Sequence, residues 1–198
     1  SSYDDISVIA SVAISNAGSA TITADDDTTL TSDATLTQNS AITAGGDLTL
    51  SGNDLSLASS AGISSQANGT LSLVETSAGS DFTYAGQSIT GNTALSIQVA
   101  DLFDLSSALS TPGDLTITAG RVTADQNIVA GDDLTITTTG DVTNDAVIYA
   151  ADGTSGGEGL VISAGGQIIN NTNKNIYGAG NVVLVSDSRI TNNSGAYI

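Results

Sequence analysis

Gly113-Asp114-Leu115-Thr116-Ile117-Thr118-Ala119-Gly120 opens on a glycine and then alternates apolar and hydroxyl side chains. In an extended chain this alternation places Leu115 and Ile117 on one face and the two threonines on the other. A strand this short cannot bury its apolar face alone. The same device recurs as Gly45-Gly46-Asp47-Leu48-Thr49-Leu50 and as Gly131-Asp132-Asp133-Leu134-Thr135-Ile136. A strand rebuilt at near-regular intervals is covered by the copies above and below it, so the repeat sets the fold.

The last apolar residue of each copy serves as a marker: Ile22, Leu50, Leu73, Ile97, Ile117, Ile136, Ile162 and Leu184, spaced by 19 to 28 residues. Leu36, in Asp33-Ala34-Thr35-Leu36-Thr37, reads as a degenerate extra copy inside the longest interval. Further short β segments follow each marker. After Ile136 come Asp141-Val142-Thr143 and Ala146-Val147-Ile148-Tyr149; after Ile162 come Gln167-Ile168-Ile169 and Asn175-Ile176-Tyr177. Segments of three to five residues, rich in β-branched side chains and separated by Gly, Asn, Asp and Ser, read as strands joined by tight turns. The expected fold is all-β: a right-handed parallel β-helix with three short strands per coil and roughly 20 to 24 residues per coil. Eight or nine coils at ~4.8 Å each give a rod about 40 Å long.

Aligning the last coils sharpens the expectation. Asp141-Val142-Thr143-Asn144-Asp145, Gln167-Ile168-Ile169-Asn170-Asn171 and Arg189-Ile190-Thr191-Asn192-Asn193 superpose without gaps. Asn144, Asn170 and Asn192 are then expected to form an amide ladder at a turn. Tyr149, Tyr177 and Tyr197 are expected to stack as an aromatic column, with Ile148, Ile176 and Ala196 beside them on the opposite face. The irregular stretches Val99–Thr111 and Asp152–Gly159 read as loops protruding from the rod, with Phe103 packed against it.

Composition agrees with a narrow interior. Apolar residues make up 39% of the 198, aromatics only 4%, and Cys, Met, Trp and His are absent. Without His or Cys there is no Ser-His-Asp triad, no Cys-His pair and no thiolate or imidazole metal site. Against 21 acidic residues stand only Arg121, Lys174 and Arg189, for a formal charge of −18. Such a field repels phosphate backbones and anionic lipid, so nucleic-acid binding is excluded. No apolar run approaches a membrane span, and the chain is not read as membrane-inserted.

Asp25-Asp26-Asp27, Asp132-Asp133, and Asp141 with Asp145 are the carboxylate clusters to weigh for glycoside hydrolysis. Asp is expected in the turns of a β-helix anyway, where its side chain bonds the local backbone. The turn reading is preferred, and no residue is assigned a catalytic, cofactor-binding or metal role. At most Asp25 to Asp27 offer weak surface Ca²⁺ binding. Arg121 and Arg189 share a repeat position in coils that are not adjacent, so they do not converge on one acidic substrate. The outward threonines of Thr21-Ile22-Thr23, Thr35-Leu36-Thr37, Thr116-Ile117-Thr118 and Thr135-Ile136-Thr137 are interrupted elsewhere by Ser, Gln and Val. They are read as soluble, β-favouring residues.

The repeats Ile42-Thr43-Ala44-Gly45-Gly46-Asp47-Leu48-Thr49-Leu50, Gly113 to Gly120, and Ile162-Ser163-Ala164-Gly165-Gly166-Gln167-Ile168 resemble those of filamentous-haemagglutinin-type exoproteins. These are large secreted bacterial adhesins and contact-dependent-inhibition proteins exported by two-partner secretion. The resemblance covers residues 42 to 57 and 113 to 198 most clearly. The Asn-Pro-Asn signatures of that family's secretion domain are missing; the sole proline is Pro112. The resemblance implies a non-catalytic stalk at the bacterial surface, carrying contacts to a host or neighbouring-cell receptor or to matrix polysaccharide. A polysaccharide-binding shaft and a head-to-tail filament are the alternatives, with a glycan lyase or hydrolase ranked below them. Ser1-Ser2-Tyr3-Asp4-Asp5 has neither a signal peptide nor an initiator Met, and no polar cap follows Ala196-Tyr197-Ile198. Residues 1 to 198 are accordingly expected to be one β-helix segment of a longer array, with open ends that permit end-to-end self-assembly.

Overall fold

The computed structural model describes residues 4–16, 18–58, 61–66, 69–90, 93–151 and 159–198. Every strand pair in them is parallel, and no helix interrupts the strands. The chain winds as a parallel β-solenoid of about eight turns, some 22 residues apart, with three strands per coil.

The first face is a stack of nine strands, from Ile6–Ala10 through Thr28–Gln38, Leu48–Leu57, Thr70–Glu75, Ala94–Leu105, Asp114–Ala124, Leu134–Thr138 and Leu160–Ala164 to Val182–Ser186. One inward column runs through all of them: Val8, Leu30, Leu50, Leu73, Ile97, Ile117, Ile136, Ile162 and Leu184. From Leu30 to Ile162 the column is buried. Each such Leu or Ile contributes about 1.5–3 kcal/mol from apolar area removed from water.

Two markers move. Ile22 belongs to the third face, paired with Ile42, and Leu30 takes its place in the first-face column. Leu36 is no extra copy: it lies in the second half of Thr28–Gln38, on the second face, between Ile14 and Leu55. All three faces carry the same alternation, so an apolar residue flanked by threonines does not announce which face it serves.

The second face continues from the ends of the long first-face strands and through Ile14–Asn16, Phe82–Tyr84, Val142–Asn144, Ile168–Asn170 and Ile190–Asn192. The third is made of two four-stranded sheets. One holds Ile22–Ala24, Ile42–Ala44, Gly62–Ser65 and Ser88–Thr90; the other holds Leu109–Thr111, Ile128–Ala130, Val147–Ala150 and Asn175–Gly178.

Val99–Thr111 is not a protruding loop. It is the end of Ala94–Leu105, a turn, and Leu109–Thr111, with Phe103 fully buried and stacked on Phe82 at 5.9 Å. Alternation breaks there because the register shifts between Val99 and Leu102, which face Ala119 and Arg121. One extra residue in a bulge is enough to disguise a strand as a loop. The other expected loop, Asp152–Gly159, falls outside the described residues except for Gly159.

Glycine opens the repeat because coils approach most closely at that corner. A Cβ on Gly45 would run into the carbonyl of Asp25, and one on Gly113 into the carbonyl of Thr93. Only a residue without a side chain lets the backbones meet.

Candidate functional site

The carboxylates are spent largely on holding one coil to the next. Asp5 Oδ1 accepts the Asp27 N–H, Asp27 that of Asp47 at 2.7 Å, and Asp47 that of Thr70 at 2.8 Å. Further along, Asp114 accepts from Asp133, Asp133 from Gly159, and Asp141 from Gln167 at 2.7 Å. An ionised carboxylate accepting a backbone N–H makes one of the stronger hydrogen bonds available at a surface. These aspartates form a corner ladder that reaches the backbone of the next coil, not the local backbone that the turn reading expects.

Among the described residues, two clusters gather carboxylate oxygens within 4.8 Å of one another: Asp5, Asp26 and Asp27, and Asp114, Asp132 and Asp133. Asp25 is not part of the first, and Asp145 is engaged elsewhere, accepting from Asn171 Nδ2 at 2.8 Å. The neighbouring charge of Asp27, with lesser contributions from desolvation and from Asp5, raises the pKa of Asp26. Mutual repulsion of this kind favours a shared proton or a loosely held cation. The first cluster is exposed on all three members.

The amide ladder is present. Asn144 Nδ2 donates to Asn170 Oδ1 at 2.8 Å, and Asn170 Nδ2 donates to Asn192 Oδ1 at 2.8 Å. Asn144 and Asn170 are fully buried, and Asn170 also reaches the Tyr197 carbonyl at 2.8 Å. A second rail runs beside it, Asn193 to Asn171 to Asp145.

The aromatic column is shorter than expected. Tyr149 and Tyr177 are register partners with ring centroids 4.7 Å apart. Tyr197 instead bridges to Asn175, two residues out of step, so Ala196 is not the equivalent of Ile148 and Ile176. The turn from Asn170 to Asn175 is two residues longer than that from Asn144 to Val147. It uses Asn173 in the left-handed region, φ 60°, and Gly195 repeats that conformation in the last coil.

Arg121 and Arg189 do share a repeat position, since Val122, Val142, Ile168 and Ile190 are stacked, and two coils separate them. Arg121 Nε pairs with Asp101 at 3.3 Å, and Arg189 donates to Gln167 Oε1 at 2.9 Å. The outward threonines are likewise dispersed. Thr116 and Thr135 stack on the first face, whereas Thr23 lies on the third and Thr37 on the second. The four threonine triplets therefore do not share one face.

Sequence reasoning missed two features. One is an open groove of about 620 Å³ lined by Ala100, Asp101, Gly120, Arg121, Thr139, Gly140 and Asp141. It exists because the corner glycines carry no side chain, and it offers a guanidinium, two carboxylates and a hydroxyl. Those groups suit sugar hydroxyls. The groove was hidden because Ala100 and Asp101 sit beside the bulge.

The other is Glu75, with 1% of its surface exposed. Its Oε2 accepts the Leu55 N–H at 3.4 Å, and its Oε1 has no partner. Burial raises its pKa above the usual 4.5, with a smaller contribution from Asp54 and against the pull of the Leu55 N–H. The signal was in the alternation of Leu71-Ser72-Leu73-Val74-Glu75, which turns Glu75 inward.

Compared with known proteins, the chain matches no family model, no curated protein and no solved structure.

Proposed function

We propose that this chain is a non-catalytic structural and adhesive stalk segment of a large secreted bacterial surface protein, of the adhesin or contact-dependent-inhibition type. The observation that carries this reading is the inward column from Val8 to Leu184, kept in register through nine strands. A rod built this way gives reach rather than an enclosed site. The resemblance of the repeats to haemagglutinin-type ones, the charge of −18 and the absence of His and Cys support the same reading. Contacts to a receptor or to matrix polysaccharide would lie on the outside of the coils.

Antibody raised against the chain and applied to intact, unpermeabilised source cells tests it. Surface labelling is the expected result; a chain confined to the cytosol contradicts it. Turnover of an acidic polysaccharide that disappears in Asp141→Asn would overturn the non-catalytic part.

The Asp101–Arg121–Asp141 groove favours a second reading, a polysaccharide-binding shaft. Glycan-array binding that Arg121→Ala abolishes would support it.

A further inference from the structure

The groove at Arg121 runs along the rod, not around it. Its lining comes from three successive coils: Asp101 in Ala94–Leu105, Gly120 and Arg121 in Asp114–Ala124, and Thr139 and Asp141 in the turn before Val142–Asn144. Two coil rises set the outer members about 10 Å apart. At about 620 Å³ the groove has the size of a small-molecule site. Bare backbone makes its floor. The Gly140 N–H donates to the Gly120 carbonyl at 2.7 Å, and a Cβ on Gly140 would stand 2.9 Å from that oxygen.

The polar groups around this floor keep bonding capacity. Arg121 meets Asp101 through Nε at 3.3 Å while its side chain stays 53% exposed; a guanidinium has five N–H donors, so one contact leaves donors for a ligand. Asp141 gives Oδ1 to the Gln167 N–H at 2.7 Å and, being exposed, holds its second oxygen for another donor. Thr139 Oγ1 donates to the Gly120 carbonyl at 3.3 Å, which commits its proton and leaves its lone pairs to accept.

The order of these groups along the axis decides the charge of the ligand. Arg121 is bracketed by Asp101 in the coil before and by Asp141 in the coil after, whose carbonyl accepts the Val122 N–H at 3.0 Å. Two carboxylates and one guanidinium leave the groove negative, within a chain of charge −18. A uronate or sulfate reaching for Arg121 must displace Asp101, pass Asp141 and enter that field. An ammonium drawn to either carboxylate meets the guanidinium between them. A neutral sugar meets neither obstacle, because each hydroxyl both donates to a carboxylate and accepts from Arg121, charge-assisted in both directions.

We propose that the groove takes an uncharged saccharide, lying along the rod axis across the three coils, and discriminates against uronic-acid, sulfated and amino sugars. This rests on the polysaccharide-binding reading and narrows it to one class of ligand.

Disaccharides of glucose, galactose and mannose, each titrated beside its uronic-acid and amino-sugar counterpart into the isotopically labelled chain, test it by nuclear magnetic resonance at the Arg121 Nε–H and the Gly140 amide. The expected result is a saturable shift of both signals with at least one neutral disaccharide, and binding weaker by about tenfold or more for its uronic counterpart. Salt near 1 M, where screening acts within about 3 Å, should leave the neutral affinity in place and narrow the gap. Asp141→Asn, an exposed change that keeps Oδ1 for the Gln167 N–H, should also narrow it, with amides outside the groove unmoved. A charged sugar bound as tightly as its neutral counterpart, or a gap that neither salt nor Asp141→Asn narrows, overturns the proposal and leaves the polysaccharide-binding reading standing. Groove signals that no disaccharide moves remove both.

Discussion

The coils after Asp114 and the coil from Thr70 to Thr93 close in different ways. Beyond Asp114, backbone ladders run without a break along all three faces, and amide and carboxylate rails reinforce the corners. In the earlier coil two ladders fail. Phe82–Tyr84 pairs with Ala94–Leu105 but not with Leu48–Leu57, and Ser88–Thr90 pairs with Gly62–Ser65 but not with Leu109–Thr111. Side chains stand in for the missing backbone partners. Gln87 Nε2 donates to the Leu57 carbonyl at 2.9 Å, Gln87 Oε1 accepts the Ala85 N–H at 2.8 Å, Tyr84 donates to the Gln87 carbonyl at 2.7 Å, and Glu75 accepts from Leu55. A repeat can therefore skip ladder bonds provided particular buried polar residues satisfy the same groups.

The largest effect should come from breaking the regular region at its rail. Asn170→Ala removes an amide bonded to both neighbouring coils and leaves Asn144 Nδ2 and Asn192 Oδ1 without it, a loss of about 3 kcal/mol. Hydrogen exchange should locate the weakening around residues 142–192. Loss confined to residue 170 itself would mean that the rail does not couple coils.

Gln87→Ala tests the irregular coil. Two side-chain hydrogen bonds disappear inside the rod, at a cost of about 2 kcal/mol, and exchange should accelerate at Ala85 and around Leu57. If Gln87→Ala leaves stability unchanged, side-chain substitution for the ladder is not what closes this coil.

Glu75→Gln is expected to stabilise. Glu75 is held with a raised pKa by burial, so the native state binds its proton more tightly than the unfolded chain does. The penalty of the buried charge is full above the raised pKa and fades as pH falls toward 4.5. At pH 7 the amide should gain about 1 kcal/mol over the parent, and the two chains should converge at about pH 4.5. Urea midpoints across that range measure it; a constant difference would place the effect elsewhere. The smallest change is Tyr177→Ser, which removes a half-exposed ring from Tyr149 and should cost about 0.5–1 kcal/mol by the same measurement.

The architecture was legible because alternation and glycine spacing are local and repeat. Asn144, Asn170 and Asn192 could be aligned because their strands superpose without a gap. Tyr197 could not, since a turn that grows by two residues keeps the coil closed while shifting everything beyond it. Ile22 and Leu36 were assigned to the wrong face because the three faces share one alternation. Val99–Thr111 was obscured by a single bulged residue. The groove beside Arg121 depends on what glycine leaves out at adjacent corners, which a linear reading does not display, whereas Glu75 could have been found by carrying the alternation one residue further.

The central claim is that equivalent residues of successive coils lie directly above one another. Nuclear magnetic resonance of the isotopically labelled chain tests it at the Asn144 and Asn170 side-chain amides. Cross-peaks between these two amides, with slow exchange of both, are the predicted result. Rapid exchange of both, with no cross-peak between them and cross-strand contacts of antiparallel type, would contradict the account.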